Sequence, residues 1–129
     1  MTKRHDLVGI GNAIVDVISH GDDSFLENMG IEKGIMQLVD RERAELLYAA
    51  MHDRVQAAGG SVANTIAGAG TLGLSTAFLG KVRDDALGRF YAEGMTGQGI
   101  DFPNPPAAEA QAPTSRLMIF VSPDGERSM

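Results

Sequence analysis

Gly59-Gly60-Ser61-Val62-Ala63-Asn64 is the stretch whose reading decides the fold of this chain. Two glycines run straight into an apolar segment, Ser61 to Leu72, that reads as a helix. Glycine has no Cβ, so the backbone here can lie close to a ligand. The helix start that follows offers unpaired N–H groups and the positive end of a helix dipole. Asn64 sits one turn in, where its amide reaches the same space. Far upstream, Asn12 and Asp16 follow an apolar strand, Asp6–Gly11. One carboxylate, two amides and bare backbone together form a set suited to the hydroxyls of a polyol.

Outward from this stretch, the pattern alternates strands with helices. Ile14–Ser19 alternates around Asp16 and reads as a second extended piece. Ser24 and Glu27 have capping-box spacing, and Gly30 suits the end of the short helix between them. Ile35–Val39 is a strand candidate. Asp40–Gln56 reads as a helix with Asp40 as N-cap, since Ala44, Leu47, Tyr48, Met51 and Val55 form one apolar stripe. Ser61–Leu72 is apolar nearly all round, which predicts a buried helix. Gly68 and Gly70 within it predict close packing against a sheet. Ser75–Leu79 is a strand, and Asp84 or Asp85 caps a helix to about Thr96 with Leu87, Phe90, Tyr91 and Met95 inward. Ile100–Phe102 is extended, and Pro103–Pro113 is a surface connection. Arg116–Val121, a type I turn at Ser122-Pro123-Asp124-Gly125 and a short return arm make a hairpin.

The totals bound the function. The chain has 129 residues, 43% hydrophobic, so a core is affordable and global disorder is excluded. A net charge of −6 argues against a nucleic-acid or anionic-membrane partner, because both need a basic surface. There is no cysteine, so no disulfide framework and no thiolate metal site. Leu7–Ile18 is too short to span a bilayer and is interrupted by Asn12 and Asp16, which points to a soluble, cytoplasmic protein. A parallel sheet needs cover on both faces, and few strands are left once the hairpin is set aside. The chain therefore reads as the front portion of a larger α/β protein.

Each motif has a bland alternative. Gly68-Ala69-Gly70-Thr71-Leu72-Gly73 matches G-x-G-x-x-G, but it closes a helix instead of opening one after a strand. A dinucleotide-binding oxidoreductase would rest on that pattern alone. Asp16 is either a ligand carboxylate or an outward-facing strand residue. An amide such as Asn64, if buried, is satisfied by backbone or by ligand, and both stay open. His5, His20 and His52 lack metal-ligand spacing, so no metal site is expected.

Four motifs in order carry a family resemblance. Gly11-Asn12-Ala13-Ile14-Val15-Asp16 is similar to G-N-x-x-x-D, and Gly59-Gly60-Ser61-Val62-Ala63-Asn64 to G-G-x-x-x-N. Gly80-Lys81-Val82-Arg83-Asp84-Asp85-Ala86-Leu87-Gly88 is similar to G-x-[VI]-G-x-D-x-x-G, and Pro113-Thr114 precedes the last long strand. The chain resembles the N-terminal part of a ribokinase/PfkB-family carbohydrate kinase, close to its adenosine kinase branch. The resemblance implies an incomplete ribokinase-like, Rossmann-like α/β core (about 5–11 and 24–103) with a small β-sheet lid (about 12–20 and 104–129). It implies that Asp16 binds two sugar hydroxyls, supported by Asn12. Gly59 and Gly60 let the sugar lie against backbone, Asn64 bonds another hydroxyl, and Ile14 forms apolar wall.

The same resemblance implies ATP and Mg²⁺ as cofactors of a full-length member, with a sugar or nucleoside as substrate. Two departures stand out. Arg83 replaces a glycine of the pattern, which predicts an altered turn. The second signature, D-T-x-G-A-G-D, does not occur in the 129 residues, so the catalytic base is expected downstream of Met129. The expectation for this chain alone is substrate binding without phosphoryl transfer and without a bound cofactor. Ser61 stands where ribokinases proper typically carry Lys, which tilts the reading toward nucleoside and other sugar branches. The alternative is a non-catalytic binding module that self-associates, with lid strands pairing into a homodimer.

Overall fold

The computed structural model describes residues 4–108 and 112–129; the expected 103–113 connection therefore lies partly outside the described residues. The elements form an α/β arrangement with open sheets, as the alternating pattern predicts. The chain groups into two compact units, Met1–Val15 with Ala57–Arg116 and Asp16–Gln56 with Leu117–Met129. Residues 24–56, expected with the α/β core, thus group with the hairpin instead.

In the first unit, β1 (Leu7–Ile10) and β4 (Thr76–Leu79) pair in parallel, Leu7 opposite Thr76 and Ile10 opposite Leu79. Parallel strands need a crossover, and the helix α3 (Ser61–Thr71) leading into β4 packs on both. The close approach of α3 is made by glycines on the strand side. A Cβ at Gly9 would lie 2.6 Å from Ile66 Cγ1, and one at Gly11 would lie 2.9 Å from Val62 Cβ. Gly68, expected to do this, has nothing within 4 Å, while Gly70 faces the Thr76 hydroxyl. The stretch 68–73 closes the helix, and Gly73 turns it out with φ +99°. Only Ala63 and Ile66 of α3 are buried, so the expectation of an all-round buried helix is corrected. Small residues make the segment apolar without needing burial.

The helix α4 (Ala86–Gly97) is capped by Asp85, whose Oδ1 accepts from Gly88 N at 2.7 Å. It delivers Tyr91 and Met95 into the core, with Leu87 and Phe90 half-buried as the periodicity predicts. Tyr91, Phe78 and Phe102 form a ring cluster with centroids 5.6–6.4 Å apart. Asp101 continues the sheet beside β4, bonding Thr76 O and Phe78 N through its backbone. Arg83 sits without a positive φ, so the altered turn expected there costs no left-handed strain.

The second sheet runs β3-β2-β5-β6, with β2 (Ile14–His20), β3 (Val55–Gly59), β5 (Ser115–Val121) and β6 (Arg127–Ser128). The division between units falls inside β2, β3 and β5. Val15, Val17 and Ser19 are buried, whereas Ile14, Asp16 and Ile18 are half-exposed, the period-2 pattern of a strand covered on one face. The helix α1 (Asp23–Asn28) buries Leu26, and its Phe25 packs on Phe120 at 5.6 Å. Its cap is Asp22, which accepts from Phe25 N at 2.7 Å, and not Ser24.

The helix α2 (Arg41–Ala50) starts at Asp40 as expected but stops early. Arg54 stacks on Tyr48 at 4.0 Å and donates to its carbonyl, and Ser19 Oγ donates to His52 O at 2.7 Å. These contacts turn the chain into β3, a strand hidden in the sequence by the apparent helical stripe. Ile35–Val39 forms no strand; Ile35 and Gln37 instead bond the backbone of Met129. Lys33 joins Asp23 at 3.0 Å and Asp124 at 2.8 Å, tying this segment to α1 and the hairpin turn.

Gly9→Ala is expected to lower unfolding free energy by about 1–3 kcal/mol through overpacking against Ile66. In urea titrations, Gly9→Ala combined with Ile66→Ala should lose less than the sum of the single losses. Strict additivity would show that the glycine is not there for helix approach.

Candidate functional site

The site begins at the carboxyl ends of β1 and β4, where parallel sheets characteristically bind ligands. Gly11 N donates to Leu79 O at 3.1 Å, bringing the two strand ends level. A Cβ at Gly80 would lie 3.1 Å from Gly11 O. The start of α3 lies against the same place. Gly60 takes φ +105°, and a Cβ there would meet Asn12 O at 2.4 Å. No L side chain fits either the dihedral or the gap. Gly59 is buried, and its carbonyl accepts from the Tyr91 hydroxyl at 2.9 Å. Sequence reasoning missed that support, although an inward tyrosine on α4 needs a hydroxyl partner.

Gly60 O accepts from Asn64 N at 2.8 Å, closing the first helical turn, and no side chain caps it. The first N–H groups of α3 therefore stay available. The side chains of Asn12 and Asn64 are exposed, and neither has a hydrogen-bond partner among the described residues. The alternative that Asn64 is a buried amide satisfied by backbone is thereby removed. Within the first unit, Asn12, Gly59, Gly60 and Asn64 thus converge at the strand ends, and Ile14 begins β2 two residues beyond Asn12.

Asp16 follows on the same face of β2 as Ile14. It is half-buried, and burial pushes its carboxyl above the ordinary range. No cation or hydrogen-bond donor compensates it among the described residues. A carboxylate held at that cost is poised to accept donors from a ligand. Two open surface concavities, of about 450 Å³ beside Asp40, Glu42, Arg43 and Leu46 and about 350 Å³ beside His20, Asp22 and Pro123, contain none of these residues.

Comparison with known proteins now decides the family. The profile of the pfkB family carbohydrate kinases matches residues 31–129. The chain belongs to the pfkB carbohydrate kinase family. The matched span includes Gly59, Gly60 and Asn64, while Asn12, Ile14 and Asp16 precede it. The fold is similar to adenosine kinase from Sinorhizobium meliloti, 50% identical with TM-score 0.85, over 98% of this chain and 38% of that one. It is equally similar to a probable sugar kinase from Rhizobium etli CFN 42, 46% identical with TM-score 0.86, over 99% and 38%. Among curated proteins, 5-dehydro-2-deoxygluconokinase of Lacticaseibacillus casei is 32% identical over 81% of this chain and 25% of its own length. That of Halalkalibacterium halodurans is 48% identical over 36% of this chain and 14% of its own length. The chain thus spans a quarter or less of these curated relatives. Among the described residues no helix is long and apolar enough to cross a membrane.

Gly60→Ala is expected to destabilise this pfkB-family chain by about 2 kcal/mol or more, from the forbidden φ and the collision with Asn12 O. Thermal unfolding measures it. A loss under about 0.5 kcal/mol would show that the α3 start is not held against Asn12.

Proposed function

We propose that this chain supplies the sugar- or nucleoside-binding portion of an ATP-dependent kinase that phosphorylates a hydroxyl group. The observation that carries this reading is the desolvated, uncompensated Asp16 carboxylate two residues beyond Ile14 on β2. The relatives named for adenosine and for a deoxygluconate act on hydroxyl-rich compounds, which supports the same assignment. Asp16 accepts two hydroxyls, Asn12 and Asn64 bond others, Gly59 and Gly60 leave backbone bare against the ring, and Ile14 packs beside it. Binding energy is gained because each hydroxyl replaces a lost water partner with a charged or amide one.

ATP and Mg²⁺ belong to the full-length kinase. The residues proposed here do not fit phosphate: the set contains a carboxylate and two neutral amides and no basic side chain. No step is therefore assigned to the nucleotide on this chain. Alone, the 129 residues bind substrate without turning over ATP. Pairing of two copies through the edges of the β3-β2-β5-β6 sheet is part of the proposal, because open edges recruit strands.

The test is titration calorimetry with adenosine and with a free sugar, beside an ATPase assay. Asp16→Asn should weaken binding roughly ten- to hundredfold, the worth of charged hydrogen bonds. The sign with pH follows from the raised carboxyl of the free chain. As pH falls, Asp16 takes up its proton above the ordinary carboxylate range, the charged acceptor is lost, and affinity drops in that window. Asp16→Asn should flatten the dependence. The free variant should also be at least as stable as the wild type at neutral pH, since no buried charge remains. Unchanged affinity in Asp16→Asn, or ATP turnover by the chain alone, would sink the proposal.

A further inference from the structure

One polar cluster in the first unit lies apart from the proposed substrate residues. Asp85 caps α4, yet its carboxylate does more than a cap requires. Oδ1 accepts from Gly88 N at 2.7 Å and from the Thr114 hydroxyl at 2.6 Å. Oδ2 accepts from Thr114 N at 3.0 Å. The Thr114 hydroxyl oxygen in turn accepts from Arg83 N at 3.0 Å. The ring is tight, since Asp85 N donates to Arg83 O and a Cβ at Gly88 would lie 2.0 Å from that carbonyl. Thr114 is 4% exposed. The next residue, Ser115, begins β5, which starts in the first unit and continues into the second.

We propose that Asp85 and Thr114 form an anchor at the root of β5 and act as positioning residues for the first residues of that strand. The chemistry separates this role from capping. An N-cap needs one acceptor, which Asn supplies as well as Asp does. The second oxygen serves only Thr114, 29 residues downstream. Burial pushes the Asp85 carboxyl up, but the hydroxyl and backbone donors of Thr114 and Gly88, with Arg83, outweigh it and hold it below the ordinary range. The carboxylate is therefore ionised and fully engaged, so both lone-pair sets are committed to the anchor. Arg83, which replaces a glycine of the family pattern, joins the ring through its backbone N–H and carbonyl, and its side-chain charge adds to the lowering of the Asp85 carboxyl.

Amide hydrogen exchange on the chain, read residue by residue, tests the anchor directly. In Asp85→Asn the side-chain oxygen still caps Gly88, but an amide nitrogen faces Thr114 N, donor against donor. Exchange at Thr114 and through Arg116–Leu117 should rise about tenfold or more, while α4 stays as protected as in the wild type. Thr114→Ser keeps both bonds and should match the wild type. Thr114→Val keeps the shape, loses the hydroxyl and should loosen the same amides, which keeps the test decisive if Asp85→Asn does not fold. Equal exchange at residues 114–117 in Thr114→Val and wild type would overturn the proposal. So would equal exchange in a folded Asp85→Asn.

A second readout rests on the proposed function. Neither residue is assigned to the ligand, yet Asp85→Asn should weaken adenosine or sugar binding several-fold, with Thr114→Ser unaffected. Absence of binding by the wild-type chain would fail that functional reading and leave the exchange result to decide the anchor.

Discussion

The approach of α3 to β1 is the constraint on which the first unit depends. Ile66 and Val62 reach within van der Waals range of a strand only because Gly9 and Gly11 present no side chain. That contact sets the depth of the helix over the sheet. Depth in turn sets where the helix begins, and its N-cap, Gly60, stands against the carbonyl of Asn12. A methyl group at any of these places would lift the helix and withdraw its free N–H groups from the strand ends. Packing between apolar residues thus fixes the position of polar ones.

The polar side chains follow a consistent chemical logic. Several that build the unit are paired, Tyr91 to Gly59 O, Asn104 to the backbone around Phe78 and Gly80, Asp85 to Gly88 and Thr114, while the buried Thr76 hydroxyl is not. Those proposed to meet substrate are not. Asn12 and Asn64 project unpaired, and Asp16 tolerates burial without a counterion. A buried or half-buried carboxylate costs free energy unless a partner arrives, which is the basis on which Asp16 is proposed to meet a ligand.

Much of this was legible in the sequence, for identifiable reasons. Short strands ended by glycine, the Asp40 cap and the inward face of α4 are local signals, and they are found in place. The failures are tertiary. The stripe through Met51 and Val55 looks helical, but Arg54 on Tyr48 and Ser19 on His52 redirect the chain into β3. Gly68 looked like a packing glycine, whereas the glycines that admit the helix sit on the strand it meets. Asp85 could be read as a cap, but its bond to Thr114 spans a separation that no local pattern encodes. The proposed site residues were nameable from motif order; that Gly60 lies against Asn12 was not.

The central claim is that the α3 start and its neighbours receive hydroxyls and not phosphate. Amide chemical shifts of the chain, followed by NMR during separate titrations with adenosine and with inorganic phosphate, test it most directly. The account predicts saturable shifts at Asn12, Gly60, Ser61 and Asn64 with adenosine, and none at those amides with phosphate at the same ionic strength. Saturable shifts there with phosphate, and none with adenosine or a free sugar, would contradict it.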